Sequence, residues 1–318
     1  LLYRDARAFA VGHGCAADWS NPREGTCTTA RADPMPIAET PNTTPEVFRD
    51  AAKRIELKVP MAPLAGMAAA NDGFTAIREV FDLYDEWIEN QEGKELPIIE
   101  EQLVPTARRH IAECRNALKR MRDGLTFVRT DALAGRAFML ANKAILLQQL
   151  RSVGAPRSTF VEGGRYTVPD PPPSQNWTTE SERGSWRPFQ IAFILSAVES
   201  IAKRDHPDRE IVELIWFPTG GGKTEAYLGL AAFALFYRRL LDSEDDGVEV
   251  LMRYTLRLLT QQQFQRAASL VCAMETLRRQ ESDLGDSPFS IGMWLGGGTT
   301  PNSRTDARRV LRTLKQDV

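Results

Sequence analysis

The chain has 318 residues, of which 42% are hydrophobic and 26% charged, and its formal net charge is -2. This is the balance of an ordinary soluble globular protein long enough for two cores, and it excludes a globally basic nucleic-acid binder: any such surface must be a local patch. Four cysteines, Cys15, Cys27, Cys114 and Cys272, lack CxxC spacing, which points to reduced thiols and a cytoplasmic setting rather than a disulfide framework. No stretch is long enough to span a bilayer, so no membrane partner is expected; the apolar run from Ala226 to Phe236 is about half the length needed. Charged Arg4, Asp5 and Arg7 exclude a signal peptide, and Leu1 in place of methionine suggests an internal piece of a longer protein.

Residues 1–43 are rich in turn formers and predict an irregular segment. His13, Cys15 and Cys27 match no zinc-ligand spacing, so no metal is expected there. Thr44-Pro45 predicts a helix start, an N-cap followed by proline. Phe74, Ile77, Phe81, Tyr84 and Ile88 recur at helical spacing, with Trp87 widening the apolar face. A second helix is predicted from Thr106 to Met121, stopped by "RDG" at 122–124, and a third from Asp131 to about Leu150. Residues 44–150 are thus expected to form a helical domain without catalytic function. A Pro/Ser/Gly-rich stretch, 151–185, predicts a linker, since proline continues neither helices nor inner strands.

Residues 186–318 alternate. A helix at about 187–203 precedes a strand at 210–217, a glycine loop and a helix at 223–240. A strand at 248–253, a helix at about 258–280 and a strand at 289–295 come next, with an acidic solvated turn at 242–247. Apolar strands alternating with helices predict an α/β fold: a partial, parallel P-loop (RecA-like) sheet preceded by the helical region.

The chemistry sits in "PTGGGKTEAYLGL", from Pro218 to Leu230. Glycines let the backbone approach phosphate oxygens, and a helix N-terminus supplies N–H donors and a favourable dipole. Thr219, Gly220, Gly221, Gly222, Lys223, Thr224 and Glu225 are the candidate ATP-binding residues. Lys223 would reach the β- and γ-phosphates and the Thr224 hydroxyl would ligate Mg²⁺, which makes these two the candidate catalytic residues. Phe217 stands where the commoner consensus has glycine, so the loop follows the "PTGxGKT" variant typical of superfamily 2 helicases. Upstream, "RPFQ" places Gln190 as a candidate reader of the adenine edge. Downstream, Thr255, Arg257 and Gln262 in "RYTLRLLTQQQ", and Gly297 and Thr299 in "LGGGTT", resemble helicase motifs Ia and Ib and are candidate DNA-backbone contacts.

The phrases "FAVGHGCAADW", "WRPFQIAFIL", "LIWFPTGGGKTEAYLGL", "VLMRYTLRLLTQQQFQRAA" and "IGMWLGGGTTPN" together resemble the DrmA family, the helicase subunits of bacterial DISARM anti-phage systems, over nearly the whole chain. That resemblance implies an ATP-dependent superfamily 2 helicase or translocase acting on DNA. It also implies a partner subunit bearing a DUF1998 domain. The family's DExx motif II is absent after Gly298, and "DE" at 85–86 lies upstream of the loop, so the expectation is a lobe truncated before motif II, inactive alone. The residues by themselves leave open a P-loop ATPase of another class that never meets nucleic acid, and an interaction protein with a vestigial site; the intact Lys223-Thr224 pair argues against the latter.

Overall fold

The structure, a computed structural model, describes residues 8–13, 15–20, 26–33, 46–50, 52–67, 73–151, 160–162, 165–167, 184–216, 221–254, 257–294, 300–301 and 303–316. It is mostly helical, with small antiparallel sheets. Strand β1 (Ala16–Ser20) pairs antiparallel with β2 (Thr29–Asp33), from Ala16 opposite Asp33 to Ser20 opposite Thr29. The first 43 residues therefore hold a hairpin where turn formers predicted irregular chain. β3 (Phe48–Asp50) pairs with β4 (Ile55–Glu56), and β5 (Val59–Pro60) leads into α1 (Met61–Leu64). Thr44 and Pro45 lie outside the described residues, and the chain from Phe48 is strand, not helix: the β-branched and aromatic side chains of Val47 and Phe48 suit extended pairing better than a first turn.

Helix α2 (Phe74–Asn90) follows the expected spacing and buries Ile77, Phe81 and Ile88; Trp87 stays 49% exposed, stacked on Tyr84 at 5.8 Å between centroids. α3 (Val104–Thr130) does not stop at Gly124. A Cβ there would lie 1.8 Å from the Leu195 carbonyl oxygen, so this glycine is the point of closest approach to another helix, not a terminator. α4 (Ala132–Arg151) begins after Asp131, whose carboxylate accepts the Ala134 N–H at 2.8 Å. The predicted linker contains a short hairpin, β6 (Phe160–Glu162) with β7 (Arg165–Thr167). It ends in β8 (Ser185–Trp186), which pairs antiparallel with β5.

Then come α5 (Pro188–Ala202), α6 (Lys223–Leu241) and α7 (Arg257–Arg278), close to their predicted bounds, and α8 (Arg304–Gln316), which the periodicity did not anticipate. Ser303 starts α8: its hydroxyl accepts the Asp306 N–H at 3.1 Å and lies 2.7 Å from the Asp306 carboxylate. The three predicted strands are different. Among the described residues, 211–216, 248–254 and 288–294 carry no ladder, and no parallel pair is present. A strand exists only through its neighbours, and apolar alternation supplies none by itself. The cost is visible at the surface: Leu214 is 82%, Trp216 66%, Leu251 84% and Trp294 75% exposed.

One apolar core runs through the helices. α4 packs along α6 and α7, and α3 along α5, which also lies against α6. Trp186 is at its centre, its indole N–H donating to Asn142 Oδ1 at 2.7 Å, while the Asn142 amide donates to the Phe138 carbonyl at 2.8 Å. Fully buried Ile191, Leu195, Phe233 and Phe236 complete it. No described helix is long and apolar enough to cross a membrane.

Candidate nucleotide site

Two helix N-termini meet at the glycine loop. α5 begins with Arg187-Pro188, proline occupying a first-turn position where its missing N–H costs nothing. The Arg187 backbone N–H donates to Gln190 Oε1 at 2.8 Å, which aims the rest of the Gln190 amide forward. Its Nε2 donates to the Gly222 carbonyl at 2.8 Å, and Arg187 Nη1 donates to the Gly221 carbonyl at 2.7 Å. Gln190 is 5% exposed, so this bond is made out of water and its loss would leave a buried polar group unpaired.

Peptide geometry carries the effect into the loop. In a trans unit C=O and N–H point in opposite directions. With the Gly221 and Gly222 carbonyls held against α5, the N–H groups of Gly222 and Lys223 are turned away from it. Gly222 has φ 90 and ψ 25, the left-handed region, as N-cap of α6, and no side chain caps it. A Cβ on it would lie 2.8 Å from Gln190 Nε2. Only glycine satisfies both demands.

Lys223, Thr224 and Glu225 form the first turn of α6, half-buried, on the wall of a cleft of about 1230 Å³. The Glu225 carboxylate is ion-paired with Arg266 of α7, so the helix after the loop is tied across the cleft to the next helix. Burial draws the Arg266 pKa below the ordinary guanidinium range. Tyr254, on the same wall, has its phenol pushed up by burial and by neighbouring Tyr227. Among the described residues no cluster of three His, Cys, Asp or Glu side chains could hold a metal ion.

The cleft thus brings together Gln190, Gly221, Gly222, Lys223, Thr224 and Glu225. Thr219, Gly220, Thr255, Gly297 and Thr299 lie outside the described residues, Arg257 opens α7, and Gln262 is exposed on the same helix. Two residues of the wall are not marked by the motifs. Arg187 belongs to the "RPFQ" phrase, but its bond to the loop depends on a contact distant in sequence. Gln263 lines the cleft with a buried Oε1 that has no partner among the described residues. It is the last of three consecutive glutamines, and only the register of α7 separates it from Gln262.

Cleft and elements define a helix-rich protein in which a glycine turn opens a helix beside a large cavity, an arrangement suited to an anion. No protein-family model matches the chain. It is 33% identical over 317 residues to the DISARM protein DrmA of Bacillus paralicheniformis, a match covering 96% of this chain and 27% of that protein. The resemblance seen in the sequence phrases is borne out along nearly the whole chain, which spans about a quarter of the length of this relative.

Proposed function

We propose that the chain is the nucleotide-binding part of an ATP-dependent helicase or translocase that acts on DNA within a DISARM-type anti-phage system. The observation that carries this is the pair of bonds from Arg187 and Gln190 to the Gly221 and Gly222 carbonyls. They preset two adjacent N–H groups at the positive end of α6, a ready phosphate cradle that needs no rearrangement on binding. Lys223 would add a point charge, and Thr224 a hydroxyl ligand for Mg²⁺. Bound Mg·ATP would supply the phosphoryl group whose transfer drives movement. Gln190 keeps one N–H and one lone pair for the adenine edge, since an amide offers four hydrogen-bonding positions and two are spent.

In the same proposal, 211–216, 248–254 and 288–294 are strands of a parallel RecA-like sheet, their exposed apolar side chains marking faces that further strands and helices cover. Thr255, Arg257, Gln262, Gly297 and Thr299 would follow a DNA backbone, and a DUF1998-bearing subunit would be the protein partner. The similarity to a DISARM protein supports the assignment to such a system.

The test is titration of the chain with a fluorescent ATP analogue and Mg²⁺. Wild type binds; Lys223→Ala, at unchanged circular dichroism, loses at least about tenfold in affinity, as expected for a charge-assisted contact to phosphate. Equal binding by a folded Lys223→Ala contradicts the cradle.

A further inference from the structure

Helix α8 lies outside the nucleotide cleft and carries a feature that none of the motifs absorbs. Arg304, Arg308 and Arg312 recur every four residues, so they form one stripe with a step of about 6 Å along the helix. All three are exposed, and among the described residues none has an acidic partner; Asp306, the acid of the first turn, is taken by Arg309 at 3.0 Å. Like charges four residues apart repel by a few tenths of a kcal/mol each, so the helix holds unrelieved repulsion that a polyanion would remove. Against a chain of net charge -2 the stripe is a local patch of one sign. Opposite the stripe the helix shows Val310, 42% exposed, while Leu311, 53% exposed, borders it three residues from Arg308.

We infer that the arginine stripe of α8 is a docking surface for a nucleic-acid phosphate backbone. It rests on the proposal that this chain handles nucleic acid and adds residues that none of the motifs contain. Guanidinium groups match phosphate with two parallel N–H donors, which lysines cannot do. A repeated step along a straight helix suits a repeated charge along a strand and carries no base code, as a translocating protein requires. A membrane surface fits less well: the apolar side exposes only Ala307, Val310 and Leu311 among its described residues, with none of the aromatic side chains that anchor interfacial helices.

The experiment is fluorescence anisotropy of a labelled single-stranded oligonucleotide of mixed sequence, titrated with the chain across a salt series. The variant carries Arg304→Gln, Arg308→Gln and Arg312→Gln together. The expected result is a log–log salt slope smaller by about 2, three contacts at about 0.7 each, and weaker binding to all sequences alike. The triple arginine-to-lysine variant should keep most of the slope, which separates loss of charge from loss of fold. An unchanged slope in the glutamine variant, or no oligonucleotide binding by wild type, overturns the inference. So does sedimentation with anionic phosphatidylserine vesicles that the glutamine substitutions abolish while oligonucleotide binding persists. The two proposals fail separately: wild-type nucleotide binding by Lys223→Ala removes the cradle, whereas the salt slope judges α8 alone.

Discussion

Gly124 and Gly222 show how differently two glycines are written into a sequence. Gly222 is readable from its neighbours, because a glycine run with lysine and threonine at fixed offsets before a helix marks a turn that needs positive φ, and the structure puts it at φ 90 as N-cap of α6. Gly124 reads locally as a stop after "RD", yet it sits inside α3 because Leu195 of α5 passes over it. Nothing near it in sequence announces that contact. On an exposed helix surface Gly→Ala would stabilise by about 1 kcal/mol. Here the added methyl would meet the Leu195 carbonyl at 1.8 Å, and Gly124→Ala should destabilise by on the order of 3 kcal/mol. The urea midpoint measures it; a rise in midpoint at constant m would mean the two helices are not in contact at this point. Arg187 and Gln263 are illegible in the sequence for the same reason, since their placement is decided by what faces them.

At the scale of elements, most helices were legible, α8 and the end of α3 excepted, and strand pairing was not. A 3.6-residue apolar period is a property of the segment itself, and it located α2, while the alternation around the glycine loop placed α5, α6 and α7 to within a few residues. The segments at 211–216, 248–254 and 288–294 have strand composition, but a ladder belongs to two segments at once. The end of α7 shows how such a segment is nevertheless anchored. Glu275 accepts from Arg278 at 2.7 and 2.8 Å, from Arg279 at 3.0 Å, and from the Phe289 backbone N–H at 3.2 Å. These bonds, Arg278 first, lower its pKa from 4.5 to about 2. A depressed folded-state pKa means stability that is full above the unfolded value and is lost as pH falls through the folded one. Glu275→Gln should therefore cost on the order of 2 kcal/mol at neutral pH. The gap between variant and wild type should close between pH 4.5 and about 2. Thermal melts across that range read it directly; a gap that stays constant would show that the carboxylate charge contributes nothing.

For the whole molecule, composition suggested a helical unit at 44–150 and a separate nucleotide lobe from 186. The helices of both regions pack into one core, α4 on α6 and α3 on α5. Arg120 of α3 reinforces the junction, holding Asp208 at 2.7 Å, the Ser196 carbonyl at 3.0 Å and Glu213 in the segment that leads to the glycine loop. α5, buried against α3 on one side, presents Arg187 and Gln190 to the loop at its start. The helical region therefore supports the glycine turn through α5, a relation that segment-by-segment periodicity does not contain.

The central claim is that this cradle holds ATP in the service of movement on DNA, and one measurement tests it most directly. Steady-state ATP hydrolysis is followed in the full-length protein, with and without single-stranded DNA, for wild type and Lys223→Ala. The account predicts turnover that DNA stimulates and that Lys223→Ala abolishes while the fold is retained. Turnover indifferent to DNA, or wild-type turnover in Lys223→Ala, would contradict it.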